Sequence, residues 1–475
     1  MLAVLSSAAV AGAMGIMAAA GPAGAADFGP VDPTIPDGNT DSLRDILEDQ
    51  VNDGDVVILQ PGATYTLDSG DGDIDVDAAV TIQGNGATIR QTVANSRVLD
   101  TEDDLTLLDV TITGGREDSS GGGVRVDDSA ATLTIERSTI TENVSLSSSD
   151  GGGVESDGPL VVRNSTISNN SASDDGGGFD ASEGVTVVAS TLSGNCAEDD
   201  GGAADSNGPV TMVNSTVTGN TEDDQGAIAV DGETLTLVYS DVVQNTHTNG
   251  VDCPNTAAVA GASIPEDPPA APDPDDVQAL DTDEPSNIDT SSGDFHAFGS
   301  VVALPLGSDD VPFNCDVPEG SGANSSGFNF SDDDTCEFTN TAQGDREIAG
   351  DPRLGALADN GGPTLTRLPQ PGSPLLNFIP IPDCGGGDDL AGFAVTTDQR
   401  GVSRPQETGC EIGSVEIEPP PEPVPVPPGG AEAPTAVPVE PRFSGYYRLL
   451  AASSLPGGFG RRAPRNRASL DAPPE

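Results

Sequence analysis

The chain has 475 residues, with 78 Asp and Glu against 18 basic residues, all of them arginine, for a formal net charge of −60. A surface this acidic repels nucleic acid and anionic lipid, which excludes both as partners, and it attracts divalent cations, which admits calcium. Tryptophan and lysine are both absent, so no tryptophan platform for sugar stacking and no Arg-x-Lys hydrolase motif can form.

Residues 1–25 are an uncharged run rich in Ala, Gly, Val and Met that ends in Ala23-Gly24-Ala25. They read as a secretory signal with a small-residue cleavage site, because Ala and Gly are too weakly apolar for a permanent span. The usual basic start is missing, and no later stretch could cross a bilayer. An exported, extracellular chain is expected, with cell-wall retention as an option and no membrane span once the signal is removed. Residues 26–54 are read as an N-terminal segment with a capping helix, in which Leu43, Ile46 and Leu47 share helical spacing and would cover the edge of a first coil.

From residue 55 to 252 the pattern is that of strands, beginning with Val56-Val57-Ile58-Leu59, Val80-Thr81-Ile82 and Leu105-Thr106-Leu107-Leu108. Asp71, Asp73, Asp75 and Asp77 alternate, which would place four carboxylates on one strand face. Between residues 151 and 250 the chain repeats every 25 residues without a slip. Leu160, Val185, Val210 and Leu235 fall into one column, Val162, Val187, Met212 and Leu237 into a second, and Ile167, Leu192, Val217 and Val242 into a third. Helical repeats run to about 33–47 residues with helical spacing of their apolar positions, whereas here the spacing is that of short strands. The fold class expected is therefore all-β: a right-handed parallel β-helix, or solenoid, with a short N-terminal capping helix and a disulfide-containing C-terminal region. Successive coils would lie about 4.8 Å apart.

Polar columns follow the same period. Asn143, Asn170, Asn195, Asn220 and Asn245 would stack as a structural amide ladder. The pairs Asp174 and Asp175, Asp199 and Asp200, and Asp223 and Asp224 recur at one turn. Like charges about 5 Å apart repel by roughly 3 kcal/mol at an effective dielectric near 20, so these turns should splay into water or hold calcium. Both acidic sets are candidate calcium ligands, and no cofactor is required.

Residues 253–345 turn rich in Pro and Asp, with Pro265-Glu266-Asp267-Pro268-Pro269 as a loop. The segments from Phe298 to Val302 and from Gly327 to Phe330 resume the coils. Residues 346–418 form a C-terminal region, and residues 419–475 a Pro-rich linker and Arg-containing tail without fixed structure. Six cysteines fit an oxidising compartment. Cys315 with Cys336, and Cys384 with Cys410, each bracket a loop rich in Asp or Gly and are favoured as disulfides. Cys196 and Cys253 are left over, and a bridge between them would need the chain to bend back across more than two coils.

Two stretches carry a family resemblance. Thr40-Asp41-Ser42-Leu43-Arg44-Asp45-Ile46-Leu47, followed by Gly54-Asp55-Val56-Val57-Ile58-Leu59-Gln60-Pro61-Gly62, resembles the start of secreted bacterial β-helix proteins of the CSLREA or polymorphic outer membrane protein type. Asp351-Pro352-Arg353-Leu354-Gly355, Ala358-Asp359-Asn360-Gly361-Gly362-Pro363-Thr364, Thr397-Asp398-Gln399-Arg400-Gly401 and Cys410-Glu411-Ile412-Gly413-Ser414 resemble the choice-of-anchor Q domain. These resemblances imply an exported surface protein with a β-helix ahead of an anchoring device. The chain departs from that pattern at Leu455-Pro456-Gly457-Gly458, because no apolar span separates this segment from Arg461 and Arg462.

No catalytic residues are assigned. His247 and His296 lie in Thr-His-Thr and Phe-His-Ala contexts, and the acidic pairs follow the repeat where a catalytic site should break it. A pectate-lyase-like route through Arg137 or Arg163 stays open, although surface ion pairing explains both more simply. The expected function is a non-catalytic, monomeric extracellular scaffold for adhesion to glycan, cell-wall polymer or matrix. Its rivals are a polysaccharide lyase or hydrolase and a purely structural acidic coat.

Overall fold

The structure is a computed structural model that describes residues 25–248, 253, 284–290, 293–307, 312–317 and 324–419. Every coil of the periodic stretch repeats the same path. Val154–Ser156 forms one strand, Leu160–Arg163 and Thr166–Ser168 form two more, and Ser171–Ala172 closes the turn before the next coil begins. Each strand pairs in parallel with its equivalent one coil on, giving a wide sheet of 19 strands and narrower sheets of nine and seven strands among the described residues. Together they make a parallel β-solenoid of about 10 turns.

The register is the one the repeat dictates. Leu160 pairs with Val185, Val185 with Val210, and Val210 with Leu235, while Val162, Val187, Met212 and Leu237 follow alongside. All eight side chains are at most 2% exposed. Alternation along each strand places the intervening residues outside, so every coil contributes the same few side chains to one continuous core.

Two corners of the coil turn through left-handed residues, and each is secured by a polar ladder. At the first corner Arg137, Asn164, Ala189, Asn214 and Tyr239 have φ between 48° and 51°. Ser138, Ser165, Ser190, Ser215 and Ser240 follow them, each backbone N–H donating to the Oγ of the serine one coil on, as in Ser165 to Ser190 at 3.1 Å. At the second corner the asparagines do the same work. Asn170 N–H and Nδ2 both donate to Asn195 Oδ1 at 3.1 Å, and Asn195 Nδ2 donates to Ile167 O and Asn220 Oδ1 at 3.0 Å. A corner breaks the sheet's own pairing, and buried backbone N–H groups left there must find another acceptor.

The N-terminal helix, α1 (Leu43–Asp49), starts at Ser42, whose side chain accepts from the Asp45 N–H at 3.2 Å. Its Leu43, Ile46 and Leu47 enter the same hydrophobic core as the coils. Strand pairing begins ahead of this helix: Asp27–Val31 lies parallel to Val56–Leu59. At the other end, Asp294–Phe298 and Val301–Ala303 continue the wide sheet, and Asn324–Gly327 with Phe330–Ser331 forms its last described turn. The Pro265–Pro269 segment, the signal-like run up to residue 24 and the linker and tail beyond residue 419 lie outside the described residues.

The C-terminal region folds back onto the outside of the wide sheet. The outward column that reads Glu136, Arg163, Val188, Val213, Val238 and Phe298 changes from charged to apolar where this covering begins. Val213, Val238, Tyr239 and Phe298 then form a second buried cluster with Leu375, Ile379, Val395 and Ile412. Disulfides join Cys384 to Cys410 within the region and Cys315 to Cys336 in the last coils. Cys196 and Cys253 are also joined, their Cα atoms 5.6 Å apart. The bending back of the chain that such a bridge requires is therefore met.

Candidate functional site

Two sets of outward side chains run along the stack: carboxylates beside the nine-stranded sheet, and hydroxyls on the wide sheet. The carboxylates begin at the turn before Gly151, Gly176 and Gly201. There Asp150 Oδ1 accepts from the Asp175 N–H, Asp175 Oδ1 from the Asp200 N–H at 3.0 Å, and Asp200 Oδ1 from the Gln225 N–H at 3.2 Å. Asp150 and the second aspartates of the first two pairs, Asp175 and Asp200, thus work as a third ladder. The glycines beside it allow the turn to close, since a Cβ on Gly177 would stand 2.4 Å from the Cys196 carbonyl.

The expected acidic pairs do converge across coils. Asp174, Asp175 and Asp199 each offer an oxygen within 4.8 Å of the others, as do Asp199, Asp200 and Asp224. Asp223 belongs to neither trio. Burial, followed by neighbouring carboxylates, pushes Asp200 up to about 8, and burial pushes Asp175 up to about 6 even though it accepts the Asp200 N–H.

In the second acidic set the strand spans Ile74–Val76, and Asp73, Asp75 and Asp77 alternate with the buried Ile74, Val76 and Ala78, while Asp71 lies in the turn ahead of them. Asp75 lies opposite Asp100 one coil on, and Asp73, Asp75 and Asp100 form the trio that the strand register assembles. Arg97 partly neutralises it, with Nε 3.1 Å from Asp73 and Nη1 3.7 Å from Asp100. Asp100 could not be found from local alternation, because its partner stands 25 residues away.

A further column was missed altogether. Glu155, Asp180 and Asp205 occupy equivalent outward positions of the nine-stranded sheet and are in direct register. Asp180 and Asp205 are only 7% and 8% exposed. Burial, then the neighbouring carboxylates, pushes Glu155 and Asp180 up to about 8 and Asp205 to about 9. The recurrence of an acid five residues after Asp150, Asp175 and Asp200 was the available signal.

The hydroxyls form the other array. Thr64, Thr88, Thr111, Thr139 and Thr166 are in register on the outer face of the wide sheet and reach solvent. The same column continues as Thr191 and Thr216, where the C-terminal region covers it. Thr191 Oγ1 donates to Leu365 O at 2.6 Å and Thr216 Oγ1 to Gln399 Oε1 at 2.7 Å. Gln399 Nε2 in turn reaches Ser190 O and Thr191 Oγ1, both at 3.0 Å. Arg137, one of the two arginines weighed for catalysis, pairs with its neighbour Glu136. Arg163 is exposed at the end of its strand.

Residues 79–262 match the family described as the right handed beta helix region. That match and the coil geometry agree on a right-handed β-helix fold. No curated protein matches the chain. Among solved structures it is similar to pectate lyase Pel9A, at 15% identity over 82% of this chain and 96% of that one, with a TM-score of 0.37. A likeness of this size bears on no argument about activity.

Proposed function

We propose that this protein is a non-catalytic exported scaffold whose wide sheet binds an extracellular glycan or cell-wall polymer along its open threonine column. The observation that carries this reading is the shared use of one column. Where it is covered, its hydroxyls donate to two separate segments of the chain's own C-terminal region, at the Leu365 carbonyl and at the Gln399 side-chain amide. Where it is open, Thr64 to Thr166 present the same donors over five rungs, roughly 19 Å at the ~4.8 Å spacing of strands. A polar polymer laid across the rungs meets the geometry that already holds Leu365 and Gln399. Three disulfides, together with the lack of a membrane-crossing helix among the described residues, are compatible with an extracellular setting.

A polysaccharide screen that scores binding and cleavage together tests this reading. Binding without release of reducing or unsaturated products is expected, and a Thr139→Val/Thr166→Val double variant should lose at least about fivefold in affinity, since two donors worth about 0.5–1.5 kcal/mol each are removed. Product release, or full binding by the double variant, would overturn it.

A further inference from the structure

Thr216 and Asp241 are successive rungs of the covered column, and the C-terminal region brings Gln399 and Ser414 against them. All four side chains are at most 1% exposed. Thr216 Oγ1 lies 2.7 Å from Gln399 Oε1 and 3.3 Å from Ser414 Oγ, and Ser414 Oγ donates to Asp241 Oδ2 at 2.6 Å. The other oxygen, Asp241 Oδ1, has no hydrogen-bond partner. A Cβ on Gly413 would stand 2.2 Å from it, so the backbone there packs directly onto the carboxylate. At the far end of the amide, Gln399 Nε2 donates to Ser190 O, Thr191 Oγ1 and Thr364 Oγ1, each at 3.0 Å. A hydroxyl, a carboxylate reached through a second hydroxyl, and a fixed amide carbonyl are thus enclosed together away from solvent.

Those parts are what acyl transfer to a hydroxyl requires: a nucleophile, a base within reach of its proton, and a positioned carbonyl. We propose that Thr216 and Gln399 join in an ester, a self-made crosslink between the stack and the C-terminal region. Ser414 takes the Thr216 proton and passes its own to Asp241, and the freed Oγ1 attacks Gln399 Cδ. The Cδ–Nε2 bond then breaks, the proton returns along the relay to the departing nitrogen, and ammonia leaves. One C–O bond replaces one C–N bond, and no oxidant, reductant or further reactant enters. Burial holds the Asp241 carboxyl up at about 6 while Ser414, Arg367 and Arg404 draw it down, so it is ionised yet basic at neutral pH. Fixed contact replaces a high concentration of reactants, and escape of ammonia from a site closed to water opposes reversal. The bond would tie together residues 183 apart in sequence. It belongs to the covered part of the column and the glycan to the open part, so the two readings fail separately.

The test is intact mass of the denatured full chain, made by cell-free synthesis under oxidising conditions, followed with time and backed by peptide mapping. The natural chain should become lighter by one ammonia, and a digest should yield a joined peptide carrying Thr216 and Gln399. Mild alkali should open that peptide and leave Glu at position 399. Thr216→Val and Gln399→Met should keep full mass, while Thr216→Ser, which retains the hydroxyl, should still close. Formation of all three disulfides in each variant separates a lost reaction from a lost fold. Asp241→Asn should slow closure at least about a hundredfold, the usual size of a lost proton acceptor. Closure of the natural chain should quicken as pH rises through about 6, and the residual closure of Asp241→Asn should lack that dependence. Full mass in the natural chain after prolonged incubation at about pH 8, ammonia loss from Thr216→Val, a joined peptide carrying Thr191 or Thr364 in place of Thr216, or the same pH profile in Asp241→Asn would overturn it.

Discussion

The periodic coils and the C-terminal region are both well packed, yet different physics holds each of them. In residues 151–248 the corner serines and asparagines and the turn aspartates are satisfied by the neighbouring coil: Ser to Ser, Asn to Asn, Asp to the next backbone N–H. Stability there is a sum of nearest-neighbour terms, as in any solenoid. In residues 351–417 regular pairing is sparse, and single residues fasten the chain instead. Arg404 Nη1 lies 2.6 Å from Glu416 Oε1, Nη2 donates to Gly413 O at 2.7 Å, and the guanidinium sits 4.0 Å from the centre of the Tyr239 ring. Repetition distributes the load in the coils; in the C-terminal region it falls on a few buried charges.

The largest expected effect follows from that contrast. Arg404→Met leaves Glu416, which is fully buried, without its counter-ion, and a broken buried pair costs about 3–5 kcal/mol. Hydrogen exchange should show residues 351–417 loosened while the coils from residue 56 to 168 keep their protection. Equal loosening of both would mean that the two regions are not held separately.

A smaller effect is expected inside the stack. Asn195→Leu removes the acceptor for the Asn170 N–H and the donor to Ile167 O, and each buried group left unpaired costs about 1–3 kcal/mol. Urea denaturation followed by exchange should place the loss in the coils on either side of residue 195. An unchanged midpoint would remove the ladder from the account of coil stability.

The mildest probe is pH, applied in chelator. Because Glu155, Asp180 and Asp205 have folded-state values of about 8, 8 and 9, they bind protons more tightly folded than unfolded. Their stabilising contribution is complete below the unfolded carboxylate value near 4 and declines as pH rises, until it is lost above their folded values. Thermal midpoints should therefore fall from acid toward about pH 9, with Arg125, Asp150, Asp157, Asp175 and Asp231 setting the local field. Asp205→Asn should flatten that slope, and an equally steep slope in the variant would shift the cause elsewhere.

How much of this could be read beforehand depended on whether a signal recurred. From residue 151 to 248 the core columns and the asparagine ladder return every 25 residues, as do the acidic pairs as far as Asp200, and a parallel stack turns that spacing directly into contact. Asp100 lies opposite Asp75 at that same distance of 25 residues, a pairing that alternation along a single strand does not reveal. The run of Val188, Val213 and Val238 looks like ordinary strand preference in sequence. Only in the folded chain does it mark an outer face that another segment covers.

By itself, then, the sequence determined the coil: its length, its inward side chains, its polar corners and the acidic turn, because period and pleat leave one arrangement for them. Tertiary structure decided the rest. It joined Cys196 to Cys253 and laid the C-terminal region over Thr191 and Thr216 of the threonine column. Those contacts cross sequence distances at which no repeat operates, so only the path of the folded chain sets them.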